Sequence, residues 1–208
     1  MLSLACPSLT IEITDCKTLA PIWEEVAKDF AHEPNVLIAK VDAEAPNAKQ
    51  TAQDHGVKSY PTIKYFPRGS SEPEAYNGAR SQAELISFMN GKAGTHRVAG
   101  GGLDTTAGTI AALDSIIAKF TGKEEASAAV KKQLDEATAG LSDKYAEYYV
   151  KVLNKLNDNS GYVEKETNRL AGLLKKGGLT PEKMDDLVKR SNILSRFKST
   201  VTGEKQEL

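Results

Sequence analysis

Between residues 91 and 108 the glycines Gly91, Gly94, Gly100, Gly101, Gly102 and Gly108 interrupt every apolar periodicity. A stretch so rich in glycine reads as a flexible joint rather than as an element. It divides the 208 residues into two halves, each long enough to bury its own core. Short apolar runs mix with helical spacing before the joint, and helical spacing alone follows it. The sequence therefore predicts an α/β domain over 1–91, a glycine-rich linker over 92–108, an all-α domain over 109–200 and a tail over 201–208. The glycines do not make a phosphate loop, because no Gly-Lys-Ser/Thr ending follows them.

In the first half, residues 8–14 alternate Leu9, Ile11 and Ile13 with Thr10, Glu12 and Thr14, the period-2 pattern of a half-buried strand. Asp15 then offers a helix cap, and Leu19, Ile22, Trp23, Val26 and Phe30 recur at helical spacing behind it. This puts Cys16 in the first turn and predicts a kink at Pro21. A buried strand is expected over 36–42, a short polar helix over 47–55 and a further strand over 62–66. A turn at Pro67-Arg68-Gly69 leads to a hairpin partner over 74–78, and Ser81 caps a last helix carrying Leu85, Ile86 and Met89.

Beyond the joint five apolar stripes follow one another. The first holds Ile110, Leu113, Ile116, Ile117 and Phe120; the second Ala126, Ala129, Val130 and Leu134. Ser142 is the expected cap of a third with Tyr145, Tyr148, Tyr149, Val152, Leu153 and Leu156. Val163, Leu170, Leu173 and Leu174 form a fourth, stopped by Gly177-Gly178, and Thr180-Pro181 opens a fifth lined by Met184, Leu187, Val188, Leu194 and Phe197. Short connections predict a compact bundle. Two of Tyr145, Tyr148 and Tyr149 are expected in its core and the third at its surface.

Charge and cysteine content exclude several function classes. Before Leu103 there are 10 basic and 12 acidic residues, and after it 17 and 16. Neither half has the basic excess that grips a phosphate backbone, so nucleic acid is not an expected partner. No apolar run approaches the roughly 20 residues that span a bilayer. The segment Leu2-Ser3-Leu4-Ala5-Cys6 is too short, and lacks the basic flank, to serve as a signal peptide. Two cysteines supply neither a disulfide framework nor a four-ligand zinc site, and no cofactor or metal is expected. His32, His55 and His96 have no partner pattern around them and read as surface residues, as do Lys131-Lys132 and Lys175-Lys176.

The run Cys16-Lys17-Thr18-Leu19-Ala20-Pro21-Ile22-Trp23, with Gly56-Val57-Lys58-Ser59-Tyr60-Pro61-Thr62-Ile63 some forty residues on, resembles an active domain of the protein disulfide isomerase family. Ala39-Lys40-Val41-Asp42-Ala43 and Tyr76-Asn77-Gly78-Ala79-Arg80 extend the resemblance, and the second half is similar to the helical domain that follows the thioredoxin domains in some members. The implied architecture is an α/β thioredoxin-like domain, incomplete at its front, followed by an all-α five-helix bundle. The resemblance makes Cys16 the resolving cysteine and Pro61 the cis-proline, puts Lys40 and Arg80 in the catalytic site, and makes Tyr60 and Thr62 the substrate-binding neighbours of the proline. Glu12 is the residue available to stand in for the family's buried glutamate opposite Lys40.

What the resemblance lacks is the attacking thiol. Family members use Cys-x-x-Cys at a helix N-terminus, whereas the matching window here is Ile13-Thr14-Asp15-Cys16. With residues 8–14 extended at about 3.3 Å per residue, Cys6 and Cys16 are expected some 20 Å apart, too far to pair. Cys6 is then an unpaired thiol in a frayed terminus and Cys16 a structural, mostly buried cysteine. The absent front strand and helix should leave apolar surface uncovered on one sheet face, a place for self-association or for unfolded chains. Lys205-Gln206-Glu207-Leu208 resembles an endoplasmic-reticulum retention signal, with Gln206 departing from the usual Asp. With no entry signal in view, the chain is expected to be a fragment or an alternative form of a longer secretory protein. Two functions remain: an isomerase-family role in oxidative folding with vestigial thiol turnover, and a non-catalytic chaperone or adaptor that binds unfolded or misfolded secretory polypeptides.

Overall fold

The computed structural model describes residues 1–6, 14–120 and 124–202. They form two compact units, Met1–Asp104 and the part of the chain from Thr105 onward. The first is built from β1 (Leu2–Cys6), α1 (Thr14–Asp29), β2 (Ile38–Asp42), α2 (Lys49–Asp54), β3 (Thr62–Tyr65), β4 (Glu74–Ala75) and α3 (Gln82–Ala93). The sheet order is β2-β1-β3-β4. β1 runs parallel to β2, with Leu2 opposite Ile38 and Cys6 opposite Asp42, and antiparallel to β3, with Leu2 opposite Tyr65 and Ala5 opposite Thr62.

The first strand is therefore Leu2–Cys6. The strand expected over 8–14 falls on residues outside the described set, except Thr14, which opens α1. A strand paired on both sides and covered on both faces reads as a continuous apolar run rather than as an alternation, and Leu2, Leu4, Ala5 and Cys6 are all buried. Asp15 lies inside the first turn of α1 rather than at its cap, where its charge still complements the helix dipole. Pro21 removes one intrahelical bond without ending the helix, which runs on to Asp29.

Side-chain alternation along β1 separates two cores. Leu2, Leu4 and Cys6 point to the face covered by α1 and α3, where they join Cys16, Leu19, Trp23, Val26, Phe30, Leu85 and Met89. Trp23 is further fixed by its indole N–H, which donates to the Ala39 carbonyl at 3.0 Å. Ala5 points the other way, with Ala43 and Ala52 under the short α2. This second face is thinly covered, and a cavity of about 170 Å³ opens there between Ser3, Ala5, Val41, His55, Thr62 and Lys64. Ser81 caps α3 by accepting from the Glu84 amide at 3.3 Å.

Within the stretch read as a flexible linker, residues 95–104 are held in place. Arg97 and Leu103 form an antiparallel bridge, and Arg97 is only 3% exposed. Its Nε donates to Glu33 Oε1 at 2.6 Å and its other guanidinium nitrogens include a donor to the Gly101 carbonyl at 2.8 Å. The buried Asp29 receives the Gly100 amide and the Gln82 side chain, each at 2.8 Å. Gly100 and Gly101, with φ of 88° and 73°, make a tight turn that other residues adopt poorly. Here glycine supplies a conformation, not flexibility. His96, expected to stand alone, faces Asp104 at 3.3 Å, and His55 packs edge-on against Phe66 with ring centres 5.2 Å apart.

The second unit contains, among the described residues, five helices: α4 (Ala111–Ile117), α5 (Glu124–Thr138), α6 (Lys144–Asp158), α7 (Tyr162–Lys176) and α8 (Pro181–Thr202). The apolar stripes meet in a single core that includes Leu113, Ile117, Leu134, Tyr149, Leu153, Leu170, Leu194 and Phe197. Asp143, not Ser142, caps α6, accepting from the Tyr145 amide at 2.7 Å. Tyr148 and Tyr149 lie in the core, and Tyr145 packs half-buried at its edge. The Tyr149 hydroxyl donates to Asp114 and accepts from the Ile110 amide, the latter at 3.2 Å. Asp186 collects Lys144 and Arg190, both at 3.0 Å. The chain is thus a thioredoxin-like domain with a mixed four-stranded sheet, followed by a helical domain.

Candidate functional site

One corner of the first unit gathers most of the residues singled out from the sequence. The Tyr60–Pro61 peptide bond is cis, and Pro61 is buried immediately before β3. Ala5 pairs with Thr62, so the register carried one step further sets Cys6 level with Pro61. Thr62 ties the approach to β3 by donating its hydroxyl to the Ser59 carbonyl at 2.6 Å. Arg80 reaches across from the segment before α3 to donate to the Pro61 carbonyl at 3.2 Å. Tyr60 is half-buried, and its hydroxyl donates to Glu44 Oε1 at 2.9 Å. Burial and that bond push the Tyr60 hydroxyl above its ordinary pKa.

The two sulfurs meet at the same corner. Cys6, at the end of β1, is 3% exposed and Cys16, in the first turn of α1, is 8% exposed. They belong to one buried cluster, and Cys16 lies close enough to act on the Cys6 thiol. This overturns both the separation of some 20 Å and the frayed Cys6. The distance argument assumed that an extended segment leads into the helix, whereas the strand ends at Cys6 itself, on the face that α1 covers. Burial and the neighbouring Cys16 push the Cys6 thiol up to about 12, against the opposing pull of Lys40 and Arg80. Both cysteines are free thiols in the structure.

Lys40 is exposed on β2, close enough for its charge to act on Cys6. Glu12, Ile13 and the tail residues Lys205, Gln206, Glu207 and Leu208 lie outside the described residues. Among the described residues there is no group of three or more His, Cys, Asp or Glu arranged to hold a metal ion. None of the described helices is long and apolar enough to cross a membrane.

Sequence reasoning missed Cys6 and Glu44. The signal for Cys6 was present in the apolar run from Leu2 to Cys6, which fits a central strand as well as the leader it was weighed against. Glu44 becomes informative only once the fold brings it against Tyr60, 16 residues away.

Comparison with known proteins agrees with this division. A family model described as thioredoxin matches residues 13–91, and one described as the C-terminal domain of endoplasmic reticulum protein ERp29 matches residues 108–197. The chain is 53% identical over 199 residues to the protein disulfide-isomerase erp38 of Neurospora crassa, an alignment covering 92% of this chain and 53% of that protein. It is 56% identical over 193 residues to the protein disulfide-isomerase tigA of Aspergillus niger, covering 93% and 52% respectively. A probable protein disulfide-isomerase A6 of Medicago sativa is 37% identical over 187 residues, covering 88% of this chain and 50% of its own. The chain spans about half the length of the curated relatives it matches.

Proposed function

Since the chain belongs to the protein disulfide isomerase family, we propose that it serves the oxidative folding of secretory polypeptides in the endoplasmic reticulum by holding unfolded clients at the Tyr60–Pro61 corner. The family's attacking cysteine has no counterpart at Ile13. The observation that carries this reading is a contrast in exposure: Tyr60 is half-exposed while both sulfurs are buried. An aromatic ring anchored through its hydroxyl to Glu44, beside a proline ring, is a rigid apolar platform that loses little entropy when a client docks. A thiol held near 12 and 3% exposed is, by contrast, a poor nucleophile toward a bulky protein disulfide. The lumenal location draws support from the retention-like Lys205-Gln206-Glu207-Leu208 and from the compartment in the name of the matched helical-domain family.

Two assays on one set of proteins test the proposal. The chain should slow the aggregation of a reduced, unfolding client, Cys16→Ser should do so equally, and Tyr60→Ala should need roughly 5- to 30-fold more protein for the same effect, the loss typical of removing an aromatic anchor. Refolding of scrambled ribonuclease should proceed at the buffer rate with all three. An enzymatic reading is favoured by the placement of Cys6 and Cys16 in one buried cluster. Rapid refolding by the chain that disappears in Cys16→Ser would establish it and displace the holding function.

A further inference from the structure

We infer that Cys6 and Cys16 constitute a reversible disulfide site, distinct from the family's Cys-x-x-Cys, that clamps the end of β1 to the first turn of α1 and exchanges with low-molecular-weight disulfides. Three observations converge on it. The pleat of β1 turns Cys6 to the face that α1 covers, and both cysteines belong to the same buried cluster. Cys16 lies close enough to Cys6 to act on its thiol. The strand end that carries Cys6 is fixed from two sides, by the Ala43 amide donating to the Cys6 carbonyl at 2.9 Å and by the pairing of the adjacent Ala5 with Thr62. Two thiols held in one packed cluster have a high effective concentration toward each other, which favours an intramolecular bond over mixed adducts.

The exchange balances in two steps. Cys16, the more exposed of the two, gives up its proton to solvent. Its sulfur attacks one sulfur of a glutathione-type disulfide, forming a mixed disulfide and expelling one thiolate, which takes up a proton. The Cys6 sulfur then attacks Cys16 Sγ, its own proton passing to water, and the second thiolate leaves. Two thiols of the protein are oxidised and one small disulfide is reduced to two thiols. Burial of both sulfurs slows attack in either direction, so the exchange is read at equilibrium.

The full chain, equilibrated in glutathione buffers of graded ratio, alkylated and digested without reductant, gives the readout. A linked Cys6–Cys16 peptide about 2 Da lighter than its reduced parts is expected. Its equilibrium constant against glutathione should be at least roughly tenfold larger for the folded chain than in concentrated urea. Cys6→Ala and Cys16→Ala, checked for folding by Trp23 fluorescence, should each retain one thiol that alkylates in concentrated urea and yield no internal link. Separate glutathione adducts at both cysteines, disulfide-linked dimers, or equal constants in folded and unfolded chain would overturn the inference. None of these readouts involves a client, so the site can fail while client holding stands, and the reverse.

Discussion

Replacing Arg97 by methionine tests whether the glycine-rich stretch after α3 belongs to the first domain's stability. The guanidinium is 3% exposed and bonded to Glu33 at 2.6 Å and to the Gly101 carbonyl at 2.8 Å. Removing one partner of a buried ion pair costs about 3–5 kcal/mol, because the other charge stays behind unpaired. The Glu33 side chain keeps 18% exposure and recovers part of its hydration, which lowers the expected loss to about 2–3 kcal/mol. The chain has one tryptophan, and Trp23 is 2% exposed in the core of that domain. Its fluorescence during urea unfolding therefore follows the first domain without interference from the helical one. With a urea dependence of about 2 kcal/mol per molar, the midpoint should fall by about 1–1.5 M. Arg97→Lys keeps the charge but loses the fork, and should cost roughly half as much. A cycle with Glu33→Gln should return a coupling of about 1–3 kcal/mol. An Arg97→Met midpoint within about 0.2 M of the parent would refute the claim that this loop is bonded into the fold.

The helical domain yields further expectations. Tyr149→Phe removes the hydroxyl that bonds Asp114 and the Ile110 amide; it should cost about 1–2 kcal/mol and speed hydrogen exchange at that amide, so unchanged exchange would contradict the assignment. Asp186 is held below the ordinary carboxylate range: burial alone would raise it, and the Lys144 hydrogen bond with the Arg190 charge outweighs burial. Its contribution is complete above the unfolded value near about pH 4 and is lost as pH falls through the depressed value. Ellipticity measured down an acid titration should show a loss below about pH 4 that Asp186→Asn flattens; parallel curves would argue against the carboxylate. Gly108 has φ of 78°, and a Cβ there would lie 2.5 Å from Lys189 Cβ. Gly108→Ala should therefore destabilise by at least about 1–2 kcal/mol, seen as a lower midpoint in the same ellipticity signal.

How far the sequence reaches depends on whether a signal is local. Ser81, Thr180-Pro181 and the Gly177-Gly178 stop act on their own neighbours, and the helices they bound appear where the spacing puts them. Tyr60, Pro61, Arg80 and Cys16 meet at one corner because motif residues keep their places in a shared fold. The strand expected over 8–14 lies outside the described residues apart from Thr14, and β1 went unread because period-2 alternation does not mark a central strand with a mostly apolar run. The separation of some 20 Å followed from reading 8–14 as extended, whereas Cys6 ends β1 on the face that α1 covers and shares a buried cluster with Cys16. Glycine misled for a related reason: Gly100 and Gly101 are chosen for positive φ in a bonded turn, and composition does not separate that use from looseness.

Holding clients and storing a disulfide use different atoms of the same corner, and this makes the two properties separable. The platform rests on the Tyr60 ring, its bond to Glu44 and the Pro61 ring, none of which requires a sulfur. The thiol pair rests on the alternation of β1 and the first turn of α1, and neither requires the Tyr60 ring. Yet Tyr60 lies near enough to Cys16 for their charges to interact, so a covalent clamp beneath it should stiffen the ground on which the ring stands. A stiffer platform binds with less ordering cost. Oxidised chain should then hold an unfolding client at a lower concentration than reduced chain, and Cys6→Ala should erase that difference while leaving the reduced chain's holding intact. If oxidation leaves holding unchanged, the clamp and the platform are neighbours without energetic coupling.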